Sequence, residues 1–325
     1  ALPISTINSA NLILKHTPEI SFTNEATRSE VMANAYFLRA YCYFTLVRVF
    51  GDCPLLTSGF ESEKQEDMYP SRTAASEVYA QVETDIEEAL RLMPASSKLL
   101  HKASPAAINM LRTEYYLWKA KRLGGGNAAL STAQSSVDAV LKAGYALLPT
   151  FADIFNLNNE ANSELIWTLP YIVNENVTPG TSPNFFAYYL APNGDRTRLR
   201  EAGYTEDEVP AGSHAQYVVP TQAYCDFLAE DARDTRTDVS VRVFEDKFLT
   251  EEVQIKRMVV KFKGSFANDT RSFDSDVPVY RLAEAYLLKA EVENALGNTD
   301  AALQNLNVVA KRAYGVDNYY TARTQ

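Results

Sequence analysis

The sequence predicts a mainly α-helical protein: antiparallel helix pairs stacked as an α-α superhelix, interrupted by a loop-rich insertion containing a few short strands. Three observations lead there. Apolar residues recur at three- and four-residue spacing through residues 1–147 and 277–325. Two stretches, YYLWKAKRLGGGNAALSTA and AYLLKAEVENALGNTDAALQNL, place an aromatic-Leu pair and an inward Ala before a glycine turn, then an Ala-rich helix. Between the two blocks, residues 148–276 are rich in Asn, Pro, Gly and Tyr, with turn signals such as TPGTSP, APNGDR and PAGSH. The expected organisation is a discontinuous helical scaffold, 1–147 with 277–325, and an insertion at 148–276.

Each helix has its own signals. The segment from about Asn24 to Phe50 repeats apolar residues at Val31, Ala35, Leu38, Cys42, Leu46 and Val49; Gly51 caps it and Pro54 prevents its resumption. A second helix runs from about Ala74 to Met93 with Val78, Val82, Ile86 and Ala89 on one face, and Pro94 stops it. Ser104-Pro105 joins a capping hydroxyl to a proline suited to the first turn. The helix it opens, to about Leu123, is apolar nearly all round and should be deeply buried. GGG at 124–126 breaks the chain, and Asn127 is the expected cap of a helix carrying Ala129, Ala133, Val137 and Val140. In the C-terminal block Asp276 and Pro278 are expected to open a helix through Leu282, Ala283, Tyr286 and Ala290. Gly297 ends it, and Asn298-Thr299 starts its partner.

An isolated antiparallel pair has an apolar face it cannot bury, so such pairs must stack on one another. The period and the small-residue pattern look like tetratricopeptide-type hairpins. Within 148–276, short apolar runs such as Leu165-Ile166-Trp167 and Met258-Val259-Val260 are the candidate strands.

Composition excludes several classes. The 325-residue chain carries a formal charge of -10, which opposes duplex nucleic acid, where Lys and Arg must neutralise phosphates. Three cysteines (Cys42, Cys53, Cys225) form no CxxC and cannot all pair. His16, His101 and His214 share no ligand spacing, so no metal site is expected. No apolar run is long enough to span a bilayer, and ALPISTINSA has no signal-peptide pattern. No cofactor is implied; calcium held by scattered Asp and Asn has no motif to support it.

No nucleophile motif, phosphate loop or metal spacing is present, so no catalytic residues are expected. The adjacent acids Glu87-Glu88 read as a solvated helix face, and Asp231 with Asp234, in EDARDTRTDV, as a turn held by local Asp–Arg pairing. The aromatic residues say more. Of 19 Tyr, several fall in the insertion, where SPNFFAYYLAPNGDR gathers Asn184, Phe185, Phe186, Tyr188, Tyr189, Asn193 and Arg196, followed by Tyr204 and Tyr217. A ring face flanked by Asn, Asp and Arg suits a sugar, whose apolar face stacks while its hydroxyls find polar partners. Asn184, Phe185, Phe186, Tyr188, Tyr189, Asn193, Arg196 and Tyr217 are therefore the candidate ligand contacts. The competing reading makes the rings plugs of a small core beneath long loops.

Taken in order, several segments resemble the SusD/RagB family of glycan-binding outer-membrane lipoproteins. They are FLRAYCYFTLVRVFGDCPLL at 37–56, EVYAQVETDIEEALRLMP at 77–94 with Arg72 before it, HKASPAAINMLRTEYYL at 101–117, AGYALLPTFADIFNLNNEANSELIWTL at 143–169, and VPVYRLAEAYLLKAEVENALGNTDAALQNLNVVAKRA at 277–313. The RAY…FGD…PL and RLAE…LLKAE…ALGN segments are the most specific. Asp234-Thr235-Arg236 departs from the family's acidic-Pro-Arg segment at the proline. The resemblance implies tetratricopeptide-like helix pairs with a ligand-facing insertion, and an N-terminal lipid, absent from this chain, on the outer membrane of a Gram-negative bacterium. It also implies a SusC-like TonB-dependent transporter as partner, an oligosaccharide or polysaccharide as ligand, and no reaction. The lipobox cysteine and about one helix of the family pattern are missing at the start, and relatives continue beyond RAYGVDNYY, so a trimmed chain is expected. Binding residues vary between members, so none carries over. Two other classes compete with glycan capture: a tetratricopeptide-type protein–protein adaptor, and an α-helical glycoside hydrolase with paired acids in a cleft.

Overall fold

A computed structural model describes residues 2–62, 70–172, 203, 205, 219–246, 254–267, 270–272 and 274–321. The chain divides into two compact units, Ala1–Tyr145 with Tyr280–Ala302, and Ala146–Val279 with Leu303–Gln325.

The first unit is built from helix pairs. Helix α1 spans Leu2–His16, α2 Glu25–Phe50, α3 Ala75–Leu92, α4 Pro105–Arg122 and α5 Gly126–Leu141. α1 packs on α2, α2 on α3 and α4 on α5, as tetratricopeptide-like hairpins do. The Asn24 side chain accepts from the Ala26 amide at 2.8 Å and starts α2; Gly51, at φ +67, ends it. The most deeply buried apolar residues of α2 are Ala33, Ala35, Phe37, Ala40, Tyr43, Phe44 and Val47; of the expected stripe Ala35 and Cys42 are buried, whereas Val49 is 67% exposed. Burial is wider than the expected stripe because both α1 and α3 pack on α2, and the stripe's last member, Val49, lies at the exposed end of the helix. In α3, Val78, Val82, Ile86 and Ala89 are buried as expected.

Ser104 Oγ accepts from the Ala107 amide at 3.1 Å and Pro105 opens α4, most of whose circumference is buried. Gly124 adopts φ +73 and Gly126 φ +53, which makes the triple-glycine turn possible. The helix after it begins at Gly126 with Gly125 at the cap, so Asn127 lies inside the first turn rather than capping it. Backbone freedom at the glycines replaces the expected side-chain cap.

Asp276 and Pro278 do not open a helix. Strand Val277–Arg281 occupies this stretch, and the helix starts at Leu282. Two valines flank the proline in a β-favouring pattern, and a partner strand is available at Leu165–Leu169. The Asp276 carboxylate accepts instead from the Tyr171 amide at 3.0 Å and Thr168 Oγ1 at 3.3 Å. In the first unit, the helix Leu282–Ala295 packs on α5. Glu293 fixes this contact by accepting from Gln134 Nε2 (2.8 Å), Lys289 Nζ (2.8 Å) and Asn298 Nδ2 (2.7 Å).

In the second unit the chain runs through short 3-10 turns at Ala152–Phe155 and Leu157–Asn159, then strand β1, Leu165–Leu169. Helices α6 (Gln222–Ala229) and α7 (Thr237–Ser240) lead into a hairpin of β2 (Val241–Asp246) and β3 (Gln254–Val259), and a smaller hairpin of β4 (Ser265–Ala267) and β5 (Thr270–Ser272) follows. The two apolar runs expected as strands supply β1 and the end of β3. In the large hairpin Arg242 pairs with Met258, and Val243 with Arg257. Met258 and Phe244 are buried on one face, whereas Val243 and Ile255 are exposed on the other. At the core of this unit Arg312, from the helix Thr299–Tyr314, pairs with Glu164; the two side chains are 7% and 0% exposed. Glu164 also accepts from the Leu148 amide at 3.0 Å.

Candidate functional site

The second unit contains a cavity of about 730 Å³, the size of small-molecule sites. Four stretches line it: Ala152–Asn158, the α7–β2 junction with Asp238 and Arg242, the turn Val260–Phe266, and Ser275. Local bonds fix that turn. The Val260 amide donates to Ser240 O at 3.1 Å, and the Gly264 amide to Ser275 Oγ at 3.2 Å. The Ser265 amide and hydroxyl each reach the Asp274 carboxylate at 2.7 Å. Gly264 takes φ +66, which glycine tolerates. Phe262 takes φ +55, which for an aromatic residue costs on the order of 1 kcal/mol.

Three half-buried rings line this space from two segments: Phe155 from one, Phe262 and Phe266 from the other. Phe155 and Phe262 meet edge to face with centroids 5.2 Å apart. Behind them, Phe151 holds Phe155 at 5.2 Å, and Lys261 Nζ lies over both rings at 4.9 and 5.3 Å. Asn156, Asn158, Ser265 and Ser275 add amide and hydroxyl groups to the lining. Among the lining residues, Arg242, Lys261 and Lys263 are cationic and Asp238 is the acid. Arg242 Nε is buried and has no hydrogen-bond partner. Apolar ring faces beside a few convergent polar groups can hold a molecule with one apolar and one hydroxylated side.

All eight residues expected from the sequence as ligand contacts, Asn184, Phe185, Phe186, Tyr188, Tyr189, Asn193, Arg196 and Tyr217, lie outside the described residues. The cavity residues Phe155, Arg242, Phe262 and Phe266 were not among them. A sequence signal for two of these residues, Phe262 and Phe266, does exist: KFKGSF at 261–266 alternates rings with cations around a glycine.

The adjacent acids are engaged with partners. Asp231 accepts from Arg233 Nε and Nη2 at 2.9 and 2.6 Å, and Asp234 from the same atoms of Arg236 at 2.8 and 2.6 Å, the expected Asp–Arg turn. Tyr319 Oη donates to Asp231 at 2.9 Å, and Arg236 Nη2 to Tyr314 Oη at 2.8 Å. The two rings stack at 3.8 Å. Arg233's side-chain and backbone bonds hold the Asp231 carboxyl well below the usual carboxylate range. A glycosidase general acid needs the opposite shift. Glu88 pairs with Arg91, and Glu87 accepts from Arg112 Nε at 2.8 Å and Tyr116 Oη at 3.0 Å; both side chains keep more than a third of their surface exposed, which fits the expected solvated face. Among the described residues, no group of three or more His, Cys, Asp and Glu is placed to hold a metal ion.

Comparison with known proteins supplies an independent line. A family model described as starch-binding and associating with the outer membrane matches residues 3–116, and a SusD family model matches residues 246–325. SusD-like protein P25 of Formosa agariphila is 27% identical, covering 95% of this chain and 60% of the relative. SusD-like protein P38 of the same organism is also 27% identical, covering 94% and 60%. The chain therefore spans about 60% of the length of the curated relatives it matches. Among solved structures, B. fragilis NanU superposes with a TM-score of 0.81 at 27% identity, over 95% of this chain and 63% of that one. A SusD superfamily protein from Bacteroides vulgatus gives 0.80 at 28% identity, over 95% and 64%.

Proposed function

Because the chain belongs to the SusD/RagB family, we propose that it captures oligosaccharide or polysaccharide at the cell surface without cleaving it. It then hands the glycan to a SusC-like TonB-dependent outer-membrane transporter. In this reading a lipid on an N-terminal cysteine tethers the protein to the outer membrane. The helical scaffold (1–147 and 277–325) docks the transporter, and the insertion (148–276) meets the sugar.

The observation that most supports glycan capture is the cavity in the insertion, where Phe155, Phe262 and Phe266 stand beside Asn156, Asn158 and Ser265. Rings beside amides and hydroxyls suit a pyranose, and the starch-binding description of the matched family model agrees in ligand class. The aromatic cluster at Phe185, Phe186, Tyr188 and Tyr189 belongs to the same proposal as a second set of contacts. The absence of catalysis is supported by Asp231 and Asp234 being held by arginines.

Affinity electrophoresis of the purified chain against plant, host and microbial polysaccharides, with calorimetry on each hit, tests the reading. Retardation by one glycan class without release of reducing ends is the expected result. Release of reducing ends would replace capture by hydrolysis. Silence across the panel would favour a protein–protein adaptor.

A further inference from the structure

We propose that Tyr314 and Tyr319 are positioning residues for the cavity: stacked on each other and tied to Asp231, Asp234 and Arg236, they hold in place the wall that carries Asp238 and Arg242. The consequence for glycan affinity rests on the glycan-capture reading; the positioning itself does not. The clasp begins where the helix Thr299–Tyr314 ends. The chain turns back there, with Asn318 in left-handed backbone at φ +52, a region that asparagine tolerates. Tyr319 returns onto Tyr314 with the rings 3.8 Å apart and 3° from parallel. Asn307 pins the returning segment by both backbone groups of Tyr320, accepting from its amide at 2.8 Å and donating to its carbonyl at 2.9 Å.

Two consecutive Asp-x-Arg units meet these rings. Arg233 lies over Tyr319 at 5.4 Å and Arg236 over Tyr314 at 5.2 Å. Each arginine is oriented by the aspartate two residues before it, which accepts from its guanidinium and from its own amide, at 3.0 Å for Arg233 and 2.9 Å for Arg236. The ring hydroxyls join the same units, Tyr319 donating to Asp231 and Tyr314 accepting from Arg236. Between them, Thr235 donates to Ala313 O through its amide at 3.0 Å and its hydroxyl at 3.1 Å. The residues of this clasp do not line the cavity.

The clasp reaches the cavity through the backbone. Arg236 O accepts from the Ser240 amide at 3.0 Å, and Ser240 O accepts from the Val260 amide at 3.1 Å. The first bond closes α7, whose Asp238 and Val239 line the cavity; the second ties the start of β2 to the turn Val260–Phe266 on the cavity's other side. A two-stranded hairpin such as β2–β3 is marginal on its own. Its place against that turn therefore depends on what holds Arg236, and Asp234, Tyr314 and the anchored Thr235 hold it. Without the stack Arg236 is freed, and Ser240 and Val260 lose their fixed spacing. The lining residues are then set by side chains that never meet the ligand, through one continuous run of bonds.

The test is hydrogen exchange read by mass spectrometry on the whole chain, for wild type, Tyr319→Ala and Tyr319→Phe, with α4 of the first unit as internal reference. Tyr319→Ala should lose protection at the Ser240 and Val260 amides while α4 keeps its own, and Tyr319→Phe, which retains a stacking ring, should stay close to wild type. Should Tyr319→Ala fold poorly, Tyr319→Leu keeps the apolar bulk without the stack and is expected to show the same loss. Loosening confined to residues 311–321 would overturn the proposal whatever the protein binds. The second readout is calorimetry with starch, xylan and any polysaccharide that retards the wild type. Affinity should fall at least about fivefold in Tyr319→Ala and recover in Tyr319→Phe. Protection lost with affinity unchanged would overturn the link to the ligand and move the sugar away from this cavity. No binding by wild type to any polymer would remove the glycan-capture reading, and the exchange result alone would then decide the clasp.

Discussion

Arg39 and Asp85, 46 positions apart, meet inside the first unit as a two-pronged ion pair. Nε and Nη2 of the arginine donate to the two carboxylate oxygens at 2.8 and 2.7 Å, with the side chains only 6% and 0% exposed. Arg39 Nη1 also reaches Asn11 Oδ1 at 2.8 Å, and Gln81 donates to Asp85 at 2.8 Å. One polar network thus joins α1, α2 and α3, three helices whose other contacts are largely apolar.

Removing one partner strands the other charge. Asp85→Ala is expected to lower unfolding free energy by about 3–5 kcal/mol in urea or thermal melts. The double change Arg39→Met with Asp85→Leu should recover most of that loss, because no charge is left unpaired. If the double variant is as unstable as the single one, packing rather than charge holds the three helices together.

Glu284 makes the protein more stable in mild acid. Burial, reinforced by the nearby Glu114 carboxylate, pushes its carboxyl up to about 7, against about 4.3 in an unfolded chain. Between those values the folded state holds a proton that the unfolded state has released. The contribution is fully present below about pH 4.3 and is lost as pH rises through 7. Glu284→Gln should raise stability at pH 8 by on the order of 1–3 kcal/mol and change it little at pH 4. Melting temperatures of both proteins across this range decide the matter; parallel curves would refute the assignment.

Phe262 separates stability from binding. Phe262→Gly relieves a left-handed conformation and removes a cavity ring. The melting temperature should hold or rise while glycan affinity falls by about 0.5–1.5 kcal/mol. A large loss of stability with affinity unchanged would make the ring a core plug. The same comparison applies to the double change of Tyr188 and Tyr189 to Ala, expected to weaken binding by about 1–3 kcal/mol if both rings stack on sugar.

Two glycines are required for different reasons. A Cβ on Gly124 meets nothing within 4 Å, so Gly124→Ala should lose only the backbone term, about 1 kcal/mol. A Cβ on Gly59 would stand 2.6 Å from Leu12 Cδ2 and 2.9 Å from its backbone nitrogen. Gly59→Ala should therefore lose about 1–3 kcal/mol by forcing α1 away from the chain beside it. Denaturant melts giving the reverse order would contradict this packing.

The scaffold was legible in the sequence because its signals are local. Asn24, Ser104-Pro105, the 124–126 glycines and the Val78–Ala89 stripe each act within a turn or two of helix, and each produced the expected boundary or face. The strand at Val277–Arg281 was misread as helix because its partner lies at Leu165–Leu169, far away along the chain. The partners of Arg39 were hidden for the same reason. The cavity joins Phe155, Arg242 and Phe262 from segments with no common period, so only KFKGSF could have marked part of it.

The Glu164–Arg312 pair bears on the order in which the molecule is made. Its members are 148 positions apart, so nearly half the chain must leave the ribosome between one and the other. At about 5–20 residues per second this leaves Glu164 waiting seconds or longer without its cation, while α1, α2 and α3 already have one another as neighbours. During that interval the unit that holds the cavity is open to proteases and chaperones, and late-added sequence determines when it closes.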